Sequence, residues 1–175
     1  MNLQRGQRGM LDKQFDLHAP VTIRVQPTGA AVYDCCCFGL DAAEKLSDDR
    51  YMIFYNQTQA PNQEILYRLD GNSTVFSVSI HALPNGIQRL AFTVSIDGSG
   101  VMGDIVRLTV TISQDDREPL VLQLNGSDFS QEKAIVALEF YQKNGWRYAA
   151  IARGFHGGLA DLLHAYGGVE EQASA

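Results

Sequence analysis

The sequence predicts an all-β protein, an antiparallel β-sandwich of roughly eight to ten strands with one short C-terminal helix. Three observations carry that expectation. Residues 134–155, AIVALEFYQKNGWRYAAIARGF, read as one long β-hairpin. Upstream of it, short runs with an apolar residue at every second position recur between turn signals. The one segment that prefers helix is LADLLHAY at 159–166, where Leu159, Leu162, Leu163 and Tyr166 follow helical spacing.

The hairpin is the clearest element. Ala134, Val136, Leu138 and Phe140 share one face while Glu139 and Tyr141 take the other, the period of two that a half-buried strand needs. Asn144-Gly145 reverses the chain, because a type I′ turn puts both central residues at positive φ, which Asn and Gly tolerate best. The return strand sets Trp146, Tyr148, Ala150 and Ala152 on one side against Arg147 and Arg153 on the other. A hairpin cannot bury its own apolar face, so the remaining chain must supply an opposing layer.

Taken in order, residues 1–18 are polar, with Gly6 and Gly9, and suit a short edge strand or an arm. Val21, Ile23 and Val25 alternate with Thr22, Arg24 and Gln26, and Pro27-Thr28-Gly29 turns the chain. Residues 31–40 are apolar on both faces and suit a central strand. The polar stretch 41–50 connects to YMIFY at 51–55, dense enough in aromatic and β-branched residues for a buried strand. Residues 56–63 form a loop. Thr74, Phe76, Val78 and Ile80 mark the next strand, Leu90, Phe92, Val94 and Ile96 another, with a turn at 83–86 between them. After a break at 98–103 come Val106, Leu108, Val110 and Ile112, a charged turn at 114–119, and Leu120, Leu122 and Leu124 before Asn125-Gly126. Gly167-Gly168 stops the helix, giving a single domain over 1–168 and a disordered tail at 169–175.

The totals narrow the function. A chain of 175 residues with 45% hydrophobic content can build a sizeable core. Its net charge of -6 argues against a general nucleic-acid binder, which needs clustered Lys and Arg. No apolar run approaches the roughly 20 residues of a spanning helix, and residues 1–16 lack a signal peptide's apolar core, so the expected location is the cytoplasm. The three cysteines are adjacent, Cys35, Cys36 and Cys37, a spacing that suits neither a disulfide framework nor zinc; they read as small buried hydrophobes, and the alternative is a redox or metal-binding triple thiol.

Catalysis finds little support: His18, His81, His156 and His164 are scattered, no serine sits in a nucleophile elbow, and Gly98-Ser99-Gly100 lacks the helix and Lys of a phosphate loop. The chain reads as no enzyme. Asp34, Asp41, Asp48, Asp49, Asp70, Asp97 and Asp104 fall at or near strand ends, and a sandwich gathers its loops at two ends. Such carboxylates can converge on calcium, which takes about six to eight oxygen ligands, or each can simply favour a turn.

Three segments, SDDRYMIFYNQ (47–57), EFYQKNGWRYAAIARGF (139–155) and GGLADLLHAYG (157–167), resemble the TerD family of bacterial tellurite-resistance and stress-response proteins. The likeness runs in order from Leu3-Gln4-Arg5-Gly6 to Gly167. It implies a calcium-binding β-sandwich with a non-enzymatic role, working with other stress-response proteins in assemblies at the inner face of the membrane. The family's alternating aspartates are reduced here to Asp34, and its acidic loop to residues 68–73. Asp34 and Asp70 match by position, and Asp48 and Asp49 keep the acidic run before the aromatic strand. The resemblance thus implies a metal site at Asp34, Asp70, Asp48 and Asp49 that is weak or absent. The expected function is a binding or scaffold module, and a homo-oligomer is compatible with exposed sandwich edges; the alternative is a sandwich that holds a small molecule without metal.

Overall fold

Two sheets face one another across a single apolar cluster that runs from Leu3 to Tyr166. The computed structural model describes residues 1–167, so the tail expected at 169–175 lies outside the described residues. The strands, in chain order, are β1 (Asn2–Leu3), β2 (Arg8–Met10), β3 (Val21–Thr28), β4 (Val32–Leu40), β5 (Met52–Ile53), β6 (Ile65–Asp70), β7 (Ser73–Val78), β8 (Arg89–Asp97), β9 (Arg107–Ser113), β10 (Leu120–Leu124), β11 (Ala134–Gln142), β12 (Trp146–Ala149) and β13 (Arg153–Phe155). Helix α1 follows at Leu159–Ala165. The first sheet has the order β1-β10-β9-β3-β7-β6 and the second β2-β12-β11-β8-β4-β5, with β13 also paired to β11.

The two sheets are buried differently, and the sequence pattern follows. In the first, β3, β9 and β10 alternate buried with more accessible residues, as strands with one wet face do. In the second, residues 35–40, 90–96 and 134–140 are buried without interruption. One face meets the first sheet. The other is covered in part by α1, whose Leu162 is buried, and by Tyr166, packed against Phe38 with ring centroids 5.1 Å apart. Across the sandwich runs an aromatic ladder of Tyr67, Phe76, Phe92 and Phe140, with successive centroids 5.7, 5.6 and 5.1 Å apart in edge-to-face or tilted packing.

The structure departs from the sequence reading in several places. Among the described residues thirteen strands replace the expected eight to ten, because β1, β2, β5 and β13 are only two or three residues long and cannot display alternation. The β1–β10 pair is parallel. The aromatic run 51–55 is not a continuous strand. Asp48 accepts a hydrogen bond from the Arg50 amide and so starts a tight helical turn, only Met52–Ile53 joins the sheet, and Tyr55 is exposed. Residues 65–70, assigned to no strand in the sequence and in part to the acidic loop at 68–73, form edge strand β6. Gly71, at φ +61°, lets Gly71-Asn72 close the β6–β7 hairpin between the paired residues Asp70 and Ser73.

The hairpin at 134–155 also has a break. Asn144 and Gly145 both take positive φ, as expected. The return strand, however, pairs with β11 as β12, leaves the ladder over 150–152, and rejoins as β13. Ala152, fully buried, takes φ +48°, a conformation rare for a residue with a Cβ. The N-terminal arm fills the gap: Gly6 N–H donates to the Ala150 carbonyl at 2.6 Å and Ala150 N–H to the Gln7 carbonyl at 2.9 Å. With β1 on the first sheet and β2 on the second, ten residues clip the sandwich at both edges.

Phe92 is the central rung of the ladder and fully buried. Phe92→Ala is expected to cost about 3–5 kcal/mol in urea unfolding, while Tyr55→Ala at the exposed ring should stay within about 0.5 kcal/mol.

Candidate functional site

The four candidate metal ligands do not come together. Asp34 lies on β4, on the opposite face from Tyr33 and Cys35, and its carboxyl is raised above the ordinary value by partial burial and by the nearby Asp97. Asp70 ends β6 in the other sheet and is engaged by Arg24 at 2.9 Å and Arg68 at 3.9 Å. Asp48 takes two bonds from the Arg50 guanidinium, at 3.0 and 2.7 Å, which hold its carboxyl below the usual range. Asp49 sits beside it in the helical turn. Among the described residues no group of three or more His, Cys, Asp or Glu is arranged to hold a metal ion. With Asp34 and Asp70 on different sheets, and Asp70 and Asp48 each paired with arginine, these carboxylates do not fit a calcium ion, which needs about six to eight oxygens at one point.

The thiols lie in the core. Cys35, Cys36 and Cys37 are all buried, and burial pushes every one of them up, Cys35 to about 12. The thiolate is the reactive form, so burial disfavours nucleophilic reaction at these sulfurs. The reading as buried hydrophobes describes them. Two of the scattered histidines do meet: His18 and His81 stack with centroids 3.9 Å apart.

Charge gathers instead on the outer face of the second sheet. A concavity of about 620 Å³ is lined by Arg5, Arg8, Glu44, Arg89, Glu139 and Arg153, together with Ile151 and Gly154. Each charged group comes from a different segment. Arg5 belongs to the turn between β1 and β2, Arg8 to β2, Glu44 to the loop after β4, Arg89 to β8, Glu139 to β11 and Arg153 to β13. The break at 150–152 positions two of them. Arg5 reaches into it and donates to the Ala152 carbonyl at 3.0 Å and the Asp128 carbonyl at 3.1 Å. The register of β11 shifts between Val136 and Leu138, so Val136 does not share a face with Leu138 and Phe140 as the simple alternation predicts. The chain's return to β11 then places Arg153 opposite Val136 on the face that carries Glu139.

Glu139 is the centre of this group. Its side chain is only 5% exposed, and its Oε1 accepts from Arg89 Nη1 at 2.6 Å, while Arg89 Nε also faces Glu44 at 3.5 Å. The second oxygen, Oε2, is buried without a hydrogen-bond partner, as is the Tyr166 hydroxyl. Burial is the largest influence on Glu139 and lifts its carboxyl above the ordinary value; the charges of Arg89 and Arg153 pull it down, and Glu44 raises it further. Tyr141 stands between two guanidiniums, with Arg8 and Arg89 at 5.4 and 5.1 Å from its ring centroid. The expectation that basic residues are not clustered holds along the chain and fails in space. The one local sign is Glu139 itself, a carboxylate inside an otherwise apolar strand.

With this geometry in place, the chain can be set beside known proteins. A family model described as the TerD domain matches residues 1–166. The chain is 34% identical over 117 residues to the tellurium resistance protein TerA of an Alcaligenes species, a match that takes in 66% of this chain but only 34% of that longer protein. It is 32% identical over 147 residues to general stress protein 16U of Bacillus subtilis strain 168, covering 77% of this chain and 76% of the relative. A solved homologue of the telluride resistance protein TerD from Streptomyces coelicolor A3(2) shares the fold, with a TM-score of 0.64 over 83% of this chain and 94% of that one at 17% identity.

Proposed function

The chain belongs to the TerD domain family, and from that premise we propose that it is a non-enzymatic binding module in the response to tellurium compounds and other chemical stress. Relatives named for tellurium resistance and general stress support the setting. The observation that carries the binding role is the concavity around Glu139, where charged side chains from six segments converge on one sheet face. Nothing about it suggests bond-breaking. Burial disfavours the thiols as nucleophiles, and Glu139 is engaged by Arg89 rather than by a hydroxyl it could activate.

On this reading the partners are other stress-response proteins in the cytoplasm, free or at the inner face of the membrane. Among the described residues no helix is long and apolar enough to cross a membrane. Calcium is at most a weak ligand, because Asp70 and Asp48 already have arginine partners.

A second reading has its own observation. Between the sheets, at the end where β4 begins, a cleft of about 330 Å³ is lined by Tyr33, Cys35, Thr74 and Asn72, with exposed Leu69 at its edge. The Tyr33 hydroxyl is buried there without a partner, against Gly29. Such a cleft suits a small molecule with a polar group that meets the Tyr33 hydroxyl and an apolar part against Leu69.

Three measurements separate these readings. Cells lacking the gene should regain survival on tellurite from the wild-type gene but not from the double variant Arg8→Gln/Arg153→Gln; full protection by the double variant would remove the concavity from the function. Calorimetric titration of calcium into chelator-treated protein should show binding no tighter than about 10⁻⁴ M, whereas micromolar binding lost in both Asp34→Ala and Asp70→Ala would reinstate a metal site. The apolar dye ANS should give no saturable fluorescence rise; a rise abolished by Leu69→Asp would put the cleft first.

A further inference from the structure

The arginines of the concavity are unequally satisfied. Arg89 alone has carboxylate partners there, Glu139 and Glu44. Arg5 is spent on two backbone carbonyls. Arg8 donates to the Tyr141 hydroxyl at 3.1 Å, and Arg153 lies over the Phe155 ring at 5.4 Å. Neither forms an ion pair among the described residues. Four guanidiniums against two carboxylates leave a surplus of two positive charges in one hollow, on a chain whose net charge is -6.

We propose that this concavity binds a small phosphate monoester, with the phosphate held by the guanidiniums of Arg8 and Arg153, neither ion-paired among the described residues, beside the Arg89–Glu139 pair. The inference deepens the binding role given to the concavity above and rests on it. A phosphate monoester carries roughly -1.5 to -2 charge at neutral pH, which matches the surplus, whereas a single carboxylate would leave one charge unmet. Planar guanidiniums suit its oxygens. The hollow is larger than a bare phosphate needs and lies within the range for small organic ligands, about 300–1,000 Å³, so an organic portion is expected beside Ile151 and Gly154. A polyanion fits less well, because the acidic chain around the hollow repels an extended phosphate backbone.

The orphan oxygen of Glu139 has a part in this site. It is a buried acceptor with no donor on a residue that lines the hollow, so an anion bound there meets repulsion when Glu139 is ionised and is relieved of it when Glu139 is protonated. The groups facing Glu139 are Arg89 on β8, Arg153 on β13, Glu44 from the loop after β4 and Tyr166 beyond α1, with Arg5 and Arg8 of the N-terminal arm lining the same hollow. The carboxyl is lifted above its ordinary value. Protonation therefore favours the bound anion, and affinity falls as pH rises through that value.

The test is calorimetric titration of the full chain with inorganic phosphate, glycerol 3-phosphate and sodium sulfate at matched ionic strength. Saturable binding is expected for all three, tightest for the ester. Arg8→Gln and Arg153→Gln should each weaken it about tenfold, and Arg24→Gln, on the other sheet, should leave it unchanged. Sulfate keeps its charge between pH 5 and 8, so its affinity should rise toward pH 5 in the wild type and stay flat in Glu139→Gln. No saturable heat with any of the three, or an equal loss in Arg24→Gln, overturns the proposal. If the probes fail to bind while Arg8→Gln/Arg153→Gln still fails to protect cells, the concavity serves another partner and only the phosphate assignment falls. If the probes bind and that variant protects fully, the phosphate site stands and the stress-response reading of it falls.

Discussion

Burial of the second sheet on both faces is the constraint from which the rest of the structure follows. Strand β11 is the extreme case: residues 134–140 are all buried, with β8 on one side and β12 and β13 on the other. A strand in that position has no wet face on which to place a polar residue. Its sequence accordingly reads AIVAL and then Phe140. The one exception, Glu139, is tolerated because Arg89 reaches it from the neighbouring strand. A buried charge without such a partner would cost several kcal/mol.

The interruption between β12 and β13 turns that constraint into a site. A regular hairpin would have carried Ala150 and Ala152 along the ladder and closed the sheet over this region. Instead the chain detours through a positive φ at Ala152, the N-terminal arm supplies the missing backbone partners, and Arg5 enters the gap. Local backbone strain of this kind persists only where surrounding contacts over-determine it. Here the contacts that do so also deliver three of the four arginines of the concavity, Arg5, Arg8 and Arg153. The arm is therefore part of the second sheet's edge and of the site at once.

The family likeness and the carboxylates point in different directions. The fold is shared with a TerD homologue at a TM-score of 0.64, yet Asp34, Asp48 and Asp70 lie on separate strands and turns, and the latter two are held by arginines. Matching positions in a sequence place residues on matching strands. Whether their side chains meet depends on their other partners, and here Asp70 and Asp48 are each engaged by an arginine instead.

The sequence by itself determined the fold class, the family, the turn at Asn144-Gly145 and the C-terminal helix, because each is written in local periodicity or in residues with restricted backbone preferences; the two-sided burial expected over 31–40 holds for residues 35–40 and fails at exposed Val32. It also determined that the cysteines are core residues. It did not show β6, whose exposed Leu66 and Leu69 blur the alternation, nor the short strands, which have too few residues to display a period. Only the tertiary structure decided the site. Arg5, Arg8, Arg89 and Arg153 are separated by up to 148 positions, and electrostatic interaction depends on distance through space, which strand pairing sets and sequence spacing does not.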